Sequence, residues 1–267
     1  MKKIRKDGTL RKSGNWQKEI TRPKLSIVIP CFNEEENISR IPRELLSVLE
    51  CLGEDFEVIV VDDGSTDNSA KEVLKIKEPN IKLVQHPKNL GLGSAIRTGI
   101  NNAEGDLLIT LDADFTFSPK FIPLLLENIK KRPDIDFIIG SPALGGYGKD
   151  INYLRIVLSK IANKIYSFLL GEKATAITPI FRLYKTEQLK SLSLESKGFE
   201  IVAEILFKLV FSGRKFFEVP VPMTQRIYGV SHLNYRKETI QHFFLVLKIL
   251  KWKIFGFNLT SSVLLAI

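Results

Sequence analysis

The chain has 267 residues, 44% hydrophobic and 26% charged, enough to bury a sizeable core and read most simply as one large domain with appendages. Its net charge of +9 is uneven: residues 1–24 carry nine Lys or Arg against Asp7 and Glu19, a local +7, so the basic balance describes a tail and argues against a nucleic-acid-binding body. Two cysteines, Cys31 and Cys51, and three scattered histidines, His86, His232 and His242, argue against a disulfide framework and a zinc centre.

Residues 1–24 show no apolar periodicity and are expected to be disordered, either as a solubilising tail or as a segment drawn to an anionic membrane surface. The basic start lacks the apolar core of a signal peptide, so a cytosolic catalytic body is expected. Leu25 to Pro30 reads as a short buried strand, and Cys31 to Asn37 opens a helix whose apolar face runs Ile38, Ile41, Leu45, Leu46, Val48, Leu49. Glu35 and Glu36 suit its first turn. Phe56 to Val61 is a second strand, ending in Asp62 and Asp63; Gly64-Ser65-Thr66-Asp67 turns the chain and offers N-caps to a helix through Val73 and Leu74. Ile81 to Val84 is a third strand. The glycine-rich Asn89 to Gly99 that follows has the wrong place and spacing for a dinucleotide fingerprint, and close packing of a helix on the sheet accounts for its glycines.

The fourth strand organises the rest. Leu107-Leu108-Ile109-Thr110-Leu111 is an apolar run that ends in Asp112 and Asp114, spaced to point into one loop. In open α/β sheets ligands bind beyond the carboxyl ends of the strands, and two hard oxygen donors there suit Mg²⁺ or Mn²⁺ carrying phosphate oxygens. The alternative is a solvated turn with two exposed acids. Ser118-Pro119 begins a helix carrying Phe121, Ile122, Leu124, Leu125 and Ile129, and Asp136 to Ile139 is a fifth strand. Strands alternating with helices indicate a mostly parallel, doubly wound sheet. Beyond Gly140 the pattern loosens into a loop over 144–149, a helix over Tyr153–Leu170, an extended Phe181–Tyr184, a helix over Phe199–Phe211 that contains Glu204, and a strand over Lys215–Val221. Residues 240–253 mix Lys with Trp, Phe and Leu, and 254–267 carry no charge. Fourteen residues are too few for a spanning helix, so an interfacial helix is expected, the alternative being a helix docked on the core.

Taken in order, Pro30-Cys31-Phe32-Asn33-Glu34, Val61-Asp62-Asp63-Gly64-Ser65, Gly91-Leu92-Gly93-Ser94-Ala95, Asp112-Ala113-Asp114 and Arg226-x-x-Gly229-x-Ser231 resemble family 2 glycosyltransferases, nearest to the dolichol-phosphate mannose synthase branch, over residues 25 to about 235. The resemblance implies a GT-A fold, an inverting and metal-dependent transfer of a hexose (mannose or glucose) from a nucleotide sugar (GDP-mannose or UDP-glucose), and a polyprenyl phosphate acceptor. By position, Pro30, Phe32, Glu34, Val61 and Asp63 would line the nucleoside pocket. Asp112, Ala113 and Asp114 would hold Mg²⁺ or Mn²⁺ and the diphosphate, with Thr116 beside the metal where some relatives place glutamine; Arg155 and Arg226 would meet phosphates. Pro142, Ala176 and His232 depart from the branch pattern, at positions where arginine, aspartate and lysine are usual. The expected organisation is a tail over 1–24, a GT-A domain over 25–235 and an amphipathic, membrane-associating helical extension over 236–267, peripheral on the cytoplasmic face. A transferase that elongates a glycan, and a non-catalytic binding subunit, are the competing readings.

Overall fold

The computed structural model describes residues 24–149, 151, 153–229 and 235–256 and, of residues 154, 155, 158 and 235–237, the backbone alone. Strand β1 (Leu25–Cys31) leads to a short helix α1 (Glu35–Ile38), a π-helical turn (Ile41–Leu46) and helix α2 (Ser47–Cys51). The single helix expected here is therefore broken. Pro42 lacks a backbone donor at the start of the wide turn, which interrupts the regular ladder. There follow β2 (Phe56–Asp62), α3 (Ser69–Lys75), β3 (Ile81–Gln85), α4 (Leu92–Asn102), β4 (Leu107–Thr110), a 3₁₀ turn (Pro119–Phe121), α5 (Ile122–Lys131), β5 (Phe137–Ser141) and α6 (Pro142–Gly145). The second half holds α7 (Tyr153–Leu170), β6 (Arg182–Lys185), α8 (Thr186–Lys190), α9 (Ile201–Phe211), β7 (Phe216–Pro220) and α10 (Tyr235–Phe255).

The seven strands form one sheet in the order β3-β2-β1-β4-β6-β5-β7. Every pairing is parallel except the two made by β6, which runs against β4 and β5. The continuous apolar runs have a direct cause. Successive residues of a strand point to opposite faces, and both faces here are core: Val28, Ile59, Val61, Leu108 and Ile139 join one buried cluster, while Ile27, Ile29, Val58, Val60, Ile109 and Ile138 join the other.

The glycines of α4 serve close packing, on two different partners. A Cβ at Gly99 would lie 2.2 Å from Val28 Cγ1 on the sheet, and one at Gly93 would lie 2.3 Å from the Ser196 carbonyl oxygen, in the segment before α9. Asp67 does not cap α3 from the expected N-cap place; Asn68 holds that position without a side-chain bond. Asp67 instead accepts from Ser69 N and reaches across to Glu35 N.

Helix α10 is docked on the core through one face. Leu245 and Ile249 are buried in the core, and Tyr166 Oη of α7 lies 2.6 Å from His242 Nδ1, so the helix docks. Its other face leaves Ile240, Phe243, Phe244, Leu247, Leu250, Ile254 and Phe255 exposed. Among the described residues no helix is long and apolar enough to cross a membrane. The tail over 1–23, and Ser231, His232 and 257–267, lie outside the described residues.

Candidate active site

The parallel strands β1, β2 and β4 bring their carboxyl ends to one edge, and every motif of the first half converges there. Register places Pro30 beside Val61 and Cys31 beside Asp62, and Leu111 N donates to Val28 O across to β4. The chain after β1 is stitched to the turn after β2: Asn33 N donates to Ser65 Oγ (2.9 Å), Thr66 N to Asn33 Oδ1 (2.8 Å), and Glu34 N to Ser69 Oγ (2.8 Å). Ser65 and Thr66 of the Gly64–Asp67 turn thus fix Asn33, and Ser69 at the start of α3 fixes Glu34.

The centre of the site is a chain of ion pairs and hydrogen bonds. Arg226 donates to Asp114 Oδ2 from Nε (3.1 Å) and from Nη2 (3.0 Å), and Nη2 also reaches Glu34 Oε1 at 2.7 Å. Asn37 Nδ2 donates to Glu34 Oε2 (2.6 Å) and to the Tyr228 carbonyl (3.3 Å). Arg40, 6% exposed, donates to Asn37 Oδ1 and to the Asp114 carbonyl while its fork grips Glu44. Thr116 N donates to Asp114 Oδ1, and the Thr116 carbonyl accepts from both N and Oγ1 of Thr224. The acidic loop and the segment bearing Arg226 are therefore tied to each other twice, once through backbone and once through charge.

Electrostatics follow from this enclosure. Burial pushes the Glu34 carboxyl up, with Arg226 and Asn37 opposing and the Asp114 charge reinforcing. Burial works against the charge of Arg226, but Asp114 and Glu34 outweigh it and hold the guanidinium more firmly charged. The backbone is strained at the same place. Asn33 (φ 55°) and Phe115 (φ 53°) are the non-glycine residues in the left-handed region among those described. Asparagine tolerates that region; for phenylalanine it is an outlier costing on the order of 1–3 kcal/mol. Phe115 is buried, with the Arg40 guanidinium 5.2 Å from its ring centroid, so the surroundings impose the conformation.

Of the residues singled out from sequence, Glu34, Asp114, Thr116 and Arg226 come together directly, with Asp112 half-buried and Ala113 buried in the same loop. Pro30 and Phe32 are half-buried at the β1 end. The Val61 side chain is buried in the core, which leaves its backbone as the part that can face a ligand. Asp63 is buried and accepts from His86 Nδ1 (2.6 Å), Leu90 N and Gly91 N, while His86 Nε2 lies 2.9 Å from Thr98 Oγ1. The Arg155 side chain lies outside the described residues. Gly229 adopts φ +74°, a turn conformation that favours glycine.

Sequence reasoning passed over Asn37, Arg40 and Arg182. The first two sit three residues apart on a helix that breaks between them, and polar residues so spaced look like an ordinary solvated face. Arg182 is fully buried and donates to the carbonyls of Pro179, Val202 and Ile177, clamping the segment after α7 to α9. Glu218 holds the same segment through Thr175 N and Ala176 N.

Asp112 and Asp114 fit a divalent metal by donor chemistry. Both offer hard carboxylate oxygens, though in this structure Asp114 Oδ2 is taken by Arg226. No group of three or more His, Cys, Asp or Glu that could hold a metal occurs among the described residues. A pair of carboxylates is the donor set of Mg²⁺ or Mn²⁺ sites, in which phosphate oxygens and water complete the shell.

The profile described as Glycosyl transferase family 2 matches residues 26–193. A curated relative, the dolichol-phosphate mannosyltransferase of Pyrococcus furiosus, is 32% identical over 237 residues, covering 86% of this chain and 64% of the relative. The chain thus spans under two thirds of that relative's length. Among solved structures, glucosyl-3-phosphoglycerate synthase from Mycobacterium tuberculosis with Mn²⁺, UDP and glucosyl-3-phosphoglycerate has a TM-score of 0.65 at 17% identity, covering 86% of this chain and 79% of that one. The same enzyme with phosphoglyceric acid has a TM-score of 0.64 at 18% identity, with the same coverage. At that identity the likeness is one of fold, and the fold is GT-A.

Proposed function

The chain belongs to glycosyl transferase family 2, and we propose that it moves a hexose, mannose or glucose, from a nucleotide sugar to a polyprenyl phosphate with inversion. The observation that carries this reading is the joining of Asp114, Glu34 and Arg226 at the carboxyl edge of β1 and β4. The similarity to a dolichol-phosphate mannosyltransferase supports the lipid acceptor, and on this reading GDP-mannose or UDP-glucose is the donor.

Asp112 and Asp114 would hold Mg²⁺ or Mn²⁺, which when bound neutralises the charge that grows on the leaving diphosphate. The chain's own residues do the rest. Pro30, Phe32 and the backbone of Val61 edge the nucleoside pocket, with Asp63 fixed at its floor by His86. Arg226 supplies a bidentate guanidinium to phosphate, and Arg155 a second cation. Asn37 and Arg40 orient Glu34 and the Asp114 loop. The acceptor needs no strong base: a phosphate's second pKa is about 6, so its oxygen is largely anionic at neutral pH and can attack C1 directly.

Working at a membrane surface requires an apolar, basic contact. The exposed face of α10 supplies the apolar part, and residues 1–24 with their +7 supply the attraction. On this reading residues 25–235 are the catalytic domain, 1–24 and 236–267 are its attachments, and the protein is peripheral on the cytoplasmic face. Incubating purified protein with nucleotide sugars, extracted polyprenyl phosphate and, in parallel, soluble sugar acceptors tests it. A hexosyl-phospholipid is expected; product only on soluble acceptors would establish a glycan-elongating enzyme instead.

A further inference from the structure

Resting on the reading of Asp112 and Asp114 as a divalent-metal site, we propose that Arg226 is the metal's competitor in the free protein. Its guanidinium occupies Asp114 until the cation arrives and is then released to the donor diphosphate, so that metal and nucleotide each strengthen binding of the other.

The argument begins with a count of lone pairs. A carboxylate oxygen can accept about two hydrogen bonds. Asp114 Oδ2 accepts two, from Nε and Nη2 of the same guanidinium, and Oδ1 accepts one from Thr116 N. A divalent cation therefore cannot take Oδ2 while Arg226 stays. If it took Oδ1 alone, it would share one small carboxylate with a full positive charge in a partly buried setting, where repulsion is strong.

Displacement is structurally open to Arg226. Nη2 is also bonded to Glu34 Oε1 at 2.7 Å, so a side chain leaving Asp114 keeps a second carboxylate on which to pivot. Glu34 is itself held by Asn37, and Thr224, two residues before Arg226, is fixed to Thr116. The backbone is pinned, and the motion required is confined to the arginine side chain. A diphosphate presents paired oxygens that match the freed fork.

The consequence is a coupling between sites, and such coupling is reciprocal. Metal that frees Arg226 improves the nucleotide site, and nucleotide that captures Arg226 improves the metal site. The same arrangement keeps Asp114 neutralised when neither ligand is present.

Mn²⁺ binding to the full chain, followed by the electron paramagnetic resonance of free Mn²⁺, tests this without any turnover. Arg226→Ala and Arg226→Gln should bind Mn²⁺ alone more tightly than wild type, by about fivefold or more, the lower end of typical coupling. Adding UDP or GDP should tighten Mn²⁺ in the wild type by a larger factor than in either variant. Folded variants that bind Mn²⁺ no tighter than wild type overturn the proposal. Failure of the wild type to bind Mn²⁺ even with UDP or GDP removes the metal reading beneath it, a different result. A measurement on the wild type alone covers the case of unstable variants: saturating Mg²⁺ should shift the Arg226 Nε–H nuclear magnetic resonance signal as its bond to Asp114 is lost. A signal unmoved at saturation also overturns the proposal.

Discussion

Asp114 Oδ2 takes two bonds from Arg226, while Oδ1 fixes the residue's own loop through Thr116 N, so one side chain serves both charge and shape. Asp114→Ala should lower turnover by at least about a hundredfold with Mg²⁺ or Mn²⁺, the scale of one lost electrostatic group, with a small change in melting temperature. Near-normal turnover by a folded variant would remove the metal role. Arg226→Ala should also cost about a hundredfold in kcat. An isolated surface pair would show instead a stability change of at most about 1 kcal/mol and unaltered kinetics. Arg40→Ala belongs to a different kind, because Arg40 is buried and touches no expected ligand. It should destabilise by about 1–3 kcal/mol through the freed Asn37 Oδ1 and Asp114 carbonyl, Glu44 keeping its pair with Arg43. It should also lower kcat, and an unchanged kcat in the folded variant would show that the loop needs no such brace. Acids and arginines at the ends of motifs were legible in the sequence because their charge has few other uses there. Asn37 and Arg40 were not, because their work depends on a helix break that residue spacing does not reveal.

Among the elements, β1, β2 and β4 followed directly from apolar runs buried on both faces. The reversed direction of β6 did not, since a four-residue strand carries no mark of its neighbours' sense. Helix α4 offers a packing test. Gly99→Ala would drive a Cβ to within 2.2 Å of Val28 Cγ1 and should destabilise by about 1–3 kcal/mol, read by denaturant unfolding. A neutral result would mean that β1 and α4 separate more easily than their contact implies. The amino ends of the strands are held by Glu57, which accepts from Ser26 Oγ (2.6 Å) and Glu104 N and lies 2.8 Å from Lys82 Nζ. Burial alone would raise its carboxyl, but bonds from Lys82, Ser26 and Glu104 outweigh burial and hold it below the ordinary 4.5. A depressed acid stabilises fully above its unfolded value, and that share is lost as pH falls through the folded one. Glu57→Gln should therefore melt well below wild type at neutral pH, with the gap closing as pH drops below about 4.5. A gap that stays constant into acid would contradict the ionic role.

At the scale of the whole molecule, the candidate site and the exposed face of α10 belong to one body, while the net charge of +9 comes largely from residues 1–24. Removing residues 1–24 should weaken attachment to anionic vesicles at low salt and leave turnover on short, soluble acceptors nearly unchanged, as screened attraction requires. Attachment that responds to neither salt nor truncation would reduce the tail to a solubiliser. A mixed helix at this end was legible from Lys interleaved with Trp, Phe and Leu, whereas its division into a docked and an exposed face depends on Leu245 and Ile249 joining the buried cluster that also holds Tyr166 of α7 and Phe207 of α9, which only the assembled fold supplies. The most direct measurement is transfer itself: polyprenyl phosphate with GDP-mannose or UDP-glucose, assayed with Mn²⁺, with a chelator, and with Asp114→Ala. We predict a hexosyl-phospholipid from one of the two donors with Mn²⁺, and none with the chelator or the variant. Lipid product formed equally well without metal and without Asp114 would contradict the account.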